Sequence, residues 1–390
     1  MMSTRLANLG GYAFAEVDEK VTELRAAGIE PIDFGVGDPT DPTPEVVRSA
    51  AKEAIDRRAT AGYPSYIGDA GYRSAVATWF EQRFGVSLDA GSEVSASVGS
   101  KEAVFNVHEA LVDPGDVVLC PTPGYPPYSR GTLFAEGEPY YMPLTAANDY
   151  LVDFAAIPSD VADRAAMMWL NYPNSPSGAL ANEAFYAAAF EFADSHDLII
   201  ASDEAYSEIY FGDSAPLSIL NVRKRGALVF NSLSKRSAMT TYRIGWVAGD
   251  PELVAHYRKV KTNVDSGTPT FVQDAAAAAL ADEEHVRGFR EAYRGRRDAL
   301  CAGLRNAGLD DCTPPATLYV WQRVPAGMSS VQFAERLLAP EVAVVTTPGP
   351  WISDELADGS NPGEGFVRFA LVQPLEQTKL AAERIAALAL

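Results

Sequence analysis

Lysine is scarce in this chain of 390 residues: of 32 basic side chains only eight are lysines, against 52 aspartates and glutamates. The formal charge of −20 argues against a nucleic-acid partner, whose phosphates would be repelled. It also means that an anionic substrate must be caught by a few local cations against the overall field. An acidic excess with so few lysines fits a salt-adapted surface. The three cysteines, Cys120, Cys301 and Cys312, are an odd number without metal-ligand spacing. They argue against a disulfide framework and lead us to expect reduced thiols in the cytoplasm. His108, His196, His256 and His285 are scattered, which leaves a histidine metal cluster without support. No apolar run approaches the ~20 residues that span a bilayer. The opening MMSTRLANLGGYAFAEVDEK lacks a basic stretch followed by an apolar core, so no secretory signal is expected.

What is present is an alternation of short apolar runs and longer amphipathic segments, in a chain long enough for a large and a smaller domain. A helical pattern, FAEVDEKVTELRAAG, leads to a short strand, PIDFGVG, and a loop, DPTDPTPEVV, whose Thr43-Pro44 suits the start of a helix. The runs EVSASVGS, DVVLCP, AMMWLNYP, DLIIASDEAY, ALVFNSLSK and IGWVAGD follow, each bounded by Gly, Pro, Asp or a polar turn. Strands that read as continuous apolar runs are buried on both faces, which predicts a mostly parallel sheet between helices. After two further helical stretches, ATLYVWQRV, AVVTTPG and GFVRFALV predict a small sheet closed by the helix TKLAAERIAALAL. The fold class expected is α/β, with a large domain over 47–280 and a smaller α+β domain over 281–390, joined by residues 1–46. In such open sheets the ligand binds beyond the carboxyl ends of the strands.

One of the rare lysines, Lys235 of NSLSKRSAMTTYRIGW, stands at such an end. A lysine amine attacks a carbonyl carbon only when unprotonated, and a buried, partly cationic setting favours that state. The aldehyde of pyridoxal phosphate is the common partner, and it requires an anion site, a carboxylate against its ring nitrogen and a flat group against its ring. The anion site fits two places: Gly99-Ser100 between a strand and a helix, and Ser232 with Arg243 around Lys235. Taken alone, Gly99-Ser100 reads more readily as a plain strand-to-helix turn. The carboxylate fits Asp203 at the end of DLIIASD, with Tyr206 three residues on; a loop aspartate capping a helix is the other reading. The flat group fits Tyr125 of PTPGYPPY, which also suits a turn packed on the core.

Taken in order, Gly-Ser-Lys, Gly-Tyr-Pro, NYPNSPSG, SDEAY and SLSK with an arginine eight residues on resemble the pyridoxal-phosphate aminotransferases of the aspartate aminotransferase superfamily, fold type I. The likeness runs from about Tyr12 to Arg368. It implies that Lys235 forms the imine with the cofactor and then shuttles the proton, that Asp203 pairs with the pyridinium and that Tyr206 bonds the ring oxygen. It implies stacking by Tyr125, and a phosphate held by Gly99, Ser100, Ser232 and Arg243, with Lys101 and Asn174 nearby. Tyr63 of GYPSYIG matches a tyrosine that reaches the neighbouring subunit's phosphate, which implies a homodimer with shared sites. Arg368 and Gly37 match the groups that receive the substrate α-carboxylate, and Tyr12 falls on the substrate side.

Two positions depart from the superfamily. Ser175 stands where an asparagine is usual, so that either Asn174 takes over its contact or the contact is weakened; Thr241 stands where glycine is usual. GYAFAEVDEKV, YPSYIGDAGYR, VGSKEAV, WLNYPNSPSGA, KVKTNVDSG and GEGFVRFAL resemble the diaminopimelate aminotransferases, and SLSKRS with SGTPTFVQ the succinyl-diaminopimelate branch. The resemblance implies LL-diaminopimelate and the 2-oxoglutarate/glutamate pair, with the N-succinyl derivative, aspartate or aromatic amino acids as alternatives. Tyr66, Asn263 and Asp265 are candidates for the distal head group; the latter two also suit a helix-end cap. Ile67 occupies a place where the LL-diaminopimelate branch often has glutamate. A β-lyase on the same scaffold, a cofactor-free relative and a ligand-sensing regulator are rivals, the last disfavoured by the negative charge.

Overall fold

The computed structural model describes residues 3–7, 15–388 and 390. A two-residue strand β1 (Ile32–Asp33) is followed by β2 (Val94–Ser97), β3 (Val117–Thr122), β4 (Glu138–Pro143), β5 (Ala165–Asn171), β6 (Ile199–Asp203), β7 (Ala227–Ser232) and β8 (Gly245–Gly249). The last seven form one sheet in the order β2-β8-β7-β6-β5-β3-β4. Its neighbours pair in parallel except around β8, which runs antiparallel to both β7 and β2. Every residue of β2, β3, β7 and β8 is buried, which is why these segments read as runs rather than alternations. The exception is β4, EPYYMP, largely half-exposed at the sheet edge; its prolines are tolerated there and no apolar run marks it.

Successive side chains point to opposite faces. Trp169 packs with Val104, Tyr128, Phe230 and Tyr257 on one side, whereas Leu170 joins Trp79, Ile200 and Trp246 on the other. The helices that cover these faces include Ala70–Phe84, Glu183–His196, Pro251–Val264 and Thr270–Ala281. The helix after DPTDPTP starts at Glu45, with Pro44 at its cap; the Thr43 hydroxyl instead donates to Ala238 O at 2.7 Å.

The tail supplies β9 (Tyr319–Arg323), β10 (Val344–Val345), β11 (Thr347–Pro348) and β12 (Phe366–Ala370). An antiparallel sheet β11-β12-β9 is backed by the helices Glu284–Asn306 and Leu375–Ala386. β1 pairs in parallel with β10, and Val17 and Leu24 of the helix Ala15–Ala26 pack on Leu338 and Val345. The smaller core also takes in Ile209 and Phe211, from the segment after β6. Backbone bonds from Phe211 N to Pro315 O (2.9 Å) and from Thr317 N to Ile209 O (2.8 Å) fix it there. The smaller core therefore draws on the segment that follows Asp203 in sequence. Among the described residues no helix is long and apolar enough to cross a membrane.

Candidate active site

Parallel pairing brings the carboxyl ends of distant segments to one edge. Asn171 lies opposite Asp203, Asp203 opposite Phe230, and Gly245 opposite both Ser232 and Ser97. The turns carrying Gly99-Ser100, Tyr125, Asn174-Ser175, Tyr206, Lys235 and Arg243 thus line the same edge.

Lys235 sits on a one-turn helix, Leu233–Arg236, whose cap is the Ser232 hydroxyl accepting from Ser234 N at 3.3 Å. Its half-buried ammonium donates to the Gly37 carbonyl. The backbone approaches closely here: a Cβ on Gly37 would lie 2.1 Å from the Tyr319 hydroxyl oxygen. Two residues earlier, the Gly35 carbonyl accepts Arg368 Nη2 at 3.0 Å.

Asp203 is 5 % exposed. Its carboxylate accepts the Tyr128 hydroxyl at 2.8 Å and Ala205 N at 3.2 Å, but among the described residues it meets no cation. Burial lifts it from 3.8 to about 6, against the pull of those two hydrogen bonds. Tyr128 is stacked on Trp169 at 4.6 Å, and the Trp169 indole donates to His108 Nε2 at 3.1 Å. Burial lowers the His108 pKa to about 4, which keeps that nitrogen an acceptor. Tyr125 presents its ring edge-on to Tyr128 at 5.8 Å and remains 38 % exposed, a ring open to a ligand on one side.

On the anion side, Gly99 has φ of +70°, and a Cβ there would meet Arg243 Nη2 at 2.3 Å. Only glycine lets the guanidinium lie over this turn. Arg243 donates to Thr240 O at 2.8 Å. Arg368 lies 4.5 Å over the Tyr319 ring, and among the described residues its buried Nε has no hydrogen-bond partner. Among the described residues neither arginine is paired with a carboxylate, in a chain with 52 acids. Two guanidiniums kept free of acid at one edge suit a phosphate and a carboxylate.

The departures have local explanations. Asn174 is buried; its Oδ1 accepts Ser177 Oγ at 2.6 Å and Ser177 N at 3.2 Å, and its Nδ2 donates to Asn171 O at 3.3 Å. Its amide is engaged in its own turn. Half-buried Ser175 donates its N–H to Asn171 Oδ1 at 2.9 Å, and Asn171 Nδ2 donates to Asp203 O at 2.9 Å. Thr241 is not at positive φ; Ala238 (+47°) and Arg243 (+53°) are, so the backbone does not demand a glycine at 241. The acidic loop after Trp351 covers the end of β3: Ile352 O accepts Gly124 N at 3.2 Å and Asp354 N donates to Thr122 Oγ1 at 2.8 Å.

The remaining candidates lie farther out. Tyr63 is 93 % exposed, and Tyr66, Lys101 and Asn263 are exposed as well. Asn263 bonds back to Lys259 O at 2.9 Å, and Asp265 terminates its helix and accepts Gly267 N at 2.6 Å. Tyr12 lies outside the described residues. Among those described, no group of three or more His, Cys, Asp or Glu could hold a metal ion.

Three residues were not singled out from the sequence. Tyr128 is one helical turn beyond Tyr125, a spacing that could have marked it. Asn171 ends a strand as Asp203 does. Tyr319 sits within the apolar run LYVW and carries no local signal.

The profile of the family described as aminotransferase class I and II matches residues 29–385. The chain is 45 % identical over 386 residues to an LL-diaminopimelate aminotransferase of Aquifex aeolicus, covering 98 % of each. Substrate-bound BacF from Bacillus subtilis superposes with a TM-score of 0.91 at 32 % identity, covering 100 % of this chain and 98 % of that one. An aminotransferase from Neisseria meningitidis Z2491 gives the same score and identity over 99 % of this chain and 100 % of its own.

Proposed function

The chain belongs to the aminotransferase class I and II family, and from that premise we propose that it binds pyridoxal 5′-phosphate and transfers an amino group between LL-diaminopimelate and the 2-oxoglutarate/glutamate pair. One observation carries the cofactor reading. Among the described residues, Asp203 is buried without a cationic partner, on the same edge as Lys235 and as an Arg243 that no carboxylate neutralises. A buried carboxylate in that state is costly, and a pyridinium would be its counter-ion.

The residues fit the group. Gly99 leaves room for Arg243 over the turn, and Ser100 and Ser232 would add hydroxyls on the phosphate side, with the exposed Lys101 farther out. Tyr125 offers a ring face, and Tyr206 a phenol for the ring oxygen. When bound, the cofactor supplies the electron sink for the α-carbon. Lys235, as an amine, would take the α-proton as base and hand it back as acid. Arg368 grips the α-carboxylate with its fork, beside the backbone of Gly35 and Gly37. The resemblance of full-length relatives favours diaminopimelate, with Tyr66, Asn263 and Tyr12 as candidates for the substrate's distal side. A tyrosine as exposed as Tyr63 favours a homodimer in which it reaches the partner's phosphate site. Three free cysteines favour a reducing, cytoplasmic setting.

Lys235→Ala is expected to abolish turnover and the visible absorbance given by pyridoxal phosphate; retention of both would remove the reading. A panel of LL-diaminopimelate, its N-succinyl derivative, aspartate and tyrosine as donors to 2-oxoglutarate tests the substrate. The highest kcat/KM is expected with LL-diaminopimelate.

A further inference from the structure

Tyr319 is 4 % exposed and touches three of the groups assigned above, although it belongs to the smaller domain. Its hydroxyl lies 3.1 Å from that of Tyr206. Its ring lies 4.5 Å under the Arg368 guanidinium. The glycine at 37 exists in part because a side chain there would collide with the Tyr319 hydroxyl. The placement follows from the sheet: Arg368 is opposite Trp321, and Tyr319, two residues before Trp321, shares its face.

We propose that Tyr319 is a positioning residue that joins the two halves of the site: its ring supports the carboxylate-binding Arg368, while its hydroxyl donates to Tyr206. The inference rests on the function proposed above. Tyr206 has one proton to give. If that proton goes to the cofactor's ring oxygen, the bond between the two phenols must run from Tyr319 to Tyr206. A donor behind a donor strengthens the forward bond. With the cofactor bound, it would stabilise negative charge on the ring oxygen and so lower the pH at which the visible band titrates. Arg368 needs the ring for a different reason. Among the described residues its Nε has no hydrogen-bond partner and only Nη2 is tied, to Gly35, so the aromatic face beneath it limits its swing.

The two roles separate by substitution. Tyr319→Phe keeps the ring and removes the hydroxyl. In the holoenzyme, the pH midpoint of the visible band should rise by about 0.3–1 unit. The kcat should fall while KM for the amino donor changes less than about twofold. Tyr319→Leu should show the same rise and, in addition, raise KM by about three- to tenfold, the size of a lost cation–π contact. In a Tyr206→Phe background, Tyr319→Phe should add no further shift, because the bond acts only through Tyr206. An unshifted Tyr319→Phe midpoint, equal KM changes in the Phe and Leu variants, or additive shifts in the double variant would each overturn the proposal. If the unsubstituted protein gives no visible band, the cofactor reading fails first and takes this one with it. An unshifted variant beside a normal parent band removes this one alone.

Discussion

Two adjacent acids at the end of β6 have opposite surroundings. Asp203 faces the candidate cofactor site, whereas Glu204 turns into the fold, where Oε1 accepts Ser202 Oγ and Ser218 Oγ at 3.1 Å each and Ile219 N at 2.9 Å. Among the described residues its Oε2 is buried without a hydrogen-bond partner, and burial raises the Glu204 pKa from 4.5 to about 7. The folded chain therefore binds this proton more tightly than the unfolded chain does. The stability that follows is present at low pH and is lost as pH rises from about 4.5 to 7. Measured against Glu204→Gln, which does not titrate, the parent should lose about 2 kcal/mol of relative stability between pH 5 and pH 8. Urea unfolding at the two pH values measures it, and a pH-independent difference would contradict it. Lys235 could be singled out as a candidate in the sequence because lysine is rare and its neighbours are small and polar. Tyr128 and Tyr319 were not, because each acts on a partner 75 or 113 residues away, and only the folded chain brings them together.

At the scale of elements, the strands were legible where both faces are buried, and β4 was hidden by its polar, proline-flanked edge position. The tie between the Gly99 turn and its surroundings was also hidden. Lys261, in the helix Pro251–Val264, is fully buried and bonds Glu102 at 3.1 Å and Asp265 at 2.7 Å. Glu102 also accepts Val98 N at 3.1 Å and the Tyr257 hydroxyl at 3.0 Å. Asp265 holds Gly267, at which a Cβ would approach Ser65 O to 2.6 Å. One ammonium thus links the Gly99 turn to the loop of Tyr63 and Tyr66. Removing one partner of a buried pair leaves the others charged and unmatched. Lys261→Met should destabilise the protein by about 3–5 kcal/mol. It should also loosen the Gly99 turn, so that pyridoxal phosphate binds more weakly. Chemical denaturation and a cofactor titration measure the two effects, and an unchanged unfolding midpoint would show that the network contributes little.

For the whole molecule, the charge of −20 sets the expected response to salt. Ions at molar concentration shrink the screening length from about 10 Å at 0.1 M to about 3 Å. The repulsion among surface carboxylates should fall accordingly, and the melting midpoint should rise by at least about 3 °C between 0.1 M and 2 M KCl. A flat or falling midpoint in differential scanning fluorimetry would count against a salt-adapted surface. The change of pattern in the tail leads one to expect a separate small sheet, and β9, β11 and β12 form one. The part of Ile209 and Phe211 in the smaller core could not be read, because those residues look like any short apolar run. The reversed strand β8 has one more consequence. Its first residue, rather than its last, lies at the chemical edge, so the chain from Lys235 reaches Arg243 by a short hairpin instead of a helical crossover. Cross-ties from Met239 N to Leu233 O, Tyr242 N to Met239 O and Leu233 N to Ile244 O stiffen that hairpin. The amine that would grip one end of a ligand and the cation that would grip the other are therefore set a constant span apart. The hairpin serves as a molecular ruler whose length is independent of any swing of the smaller domain.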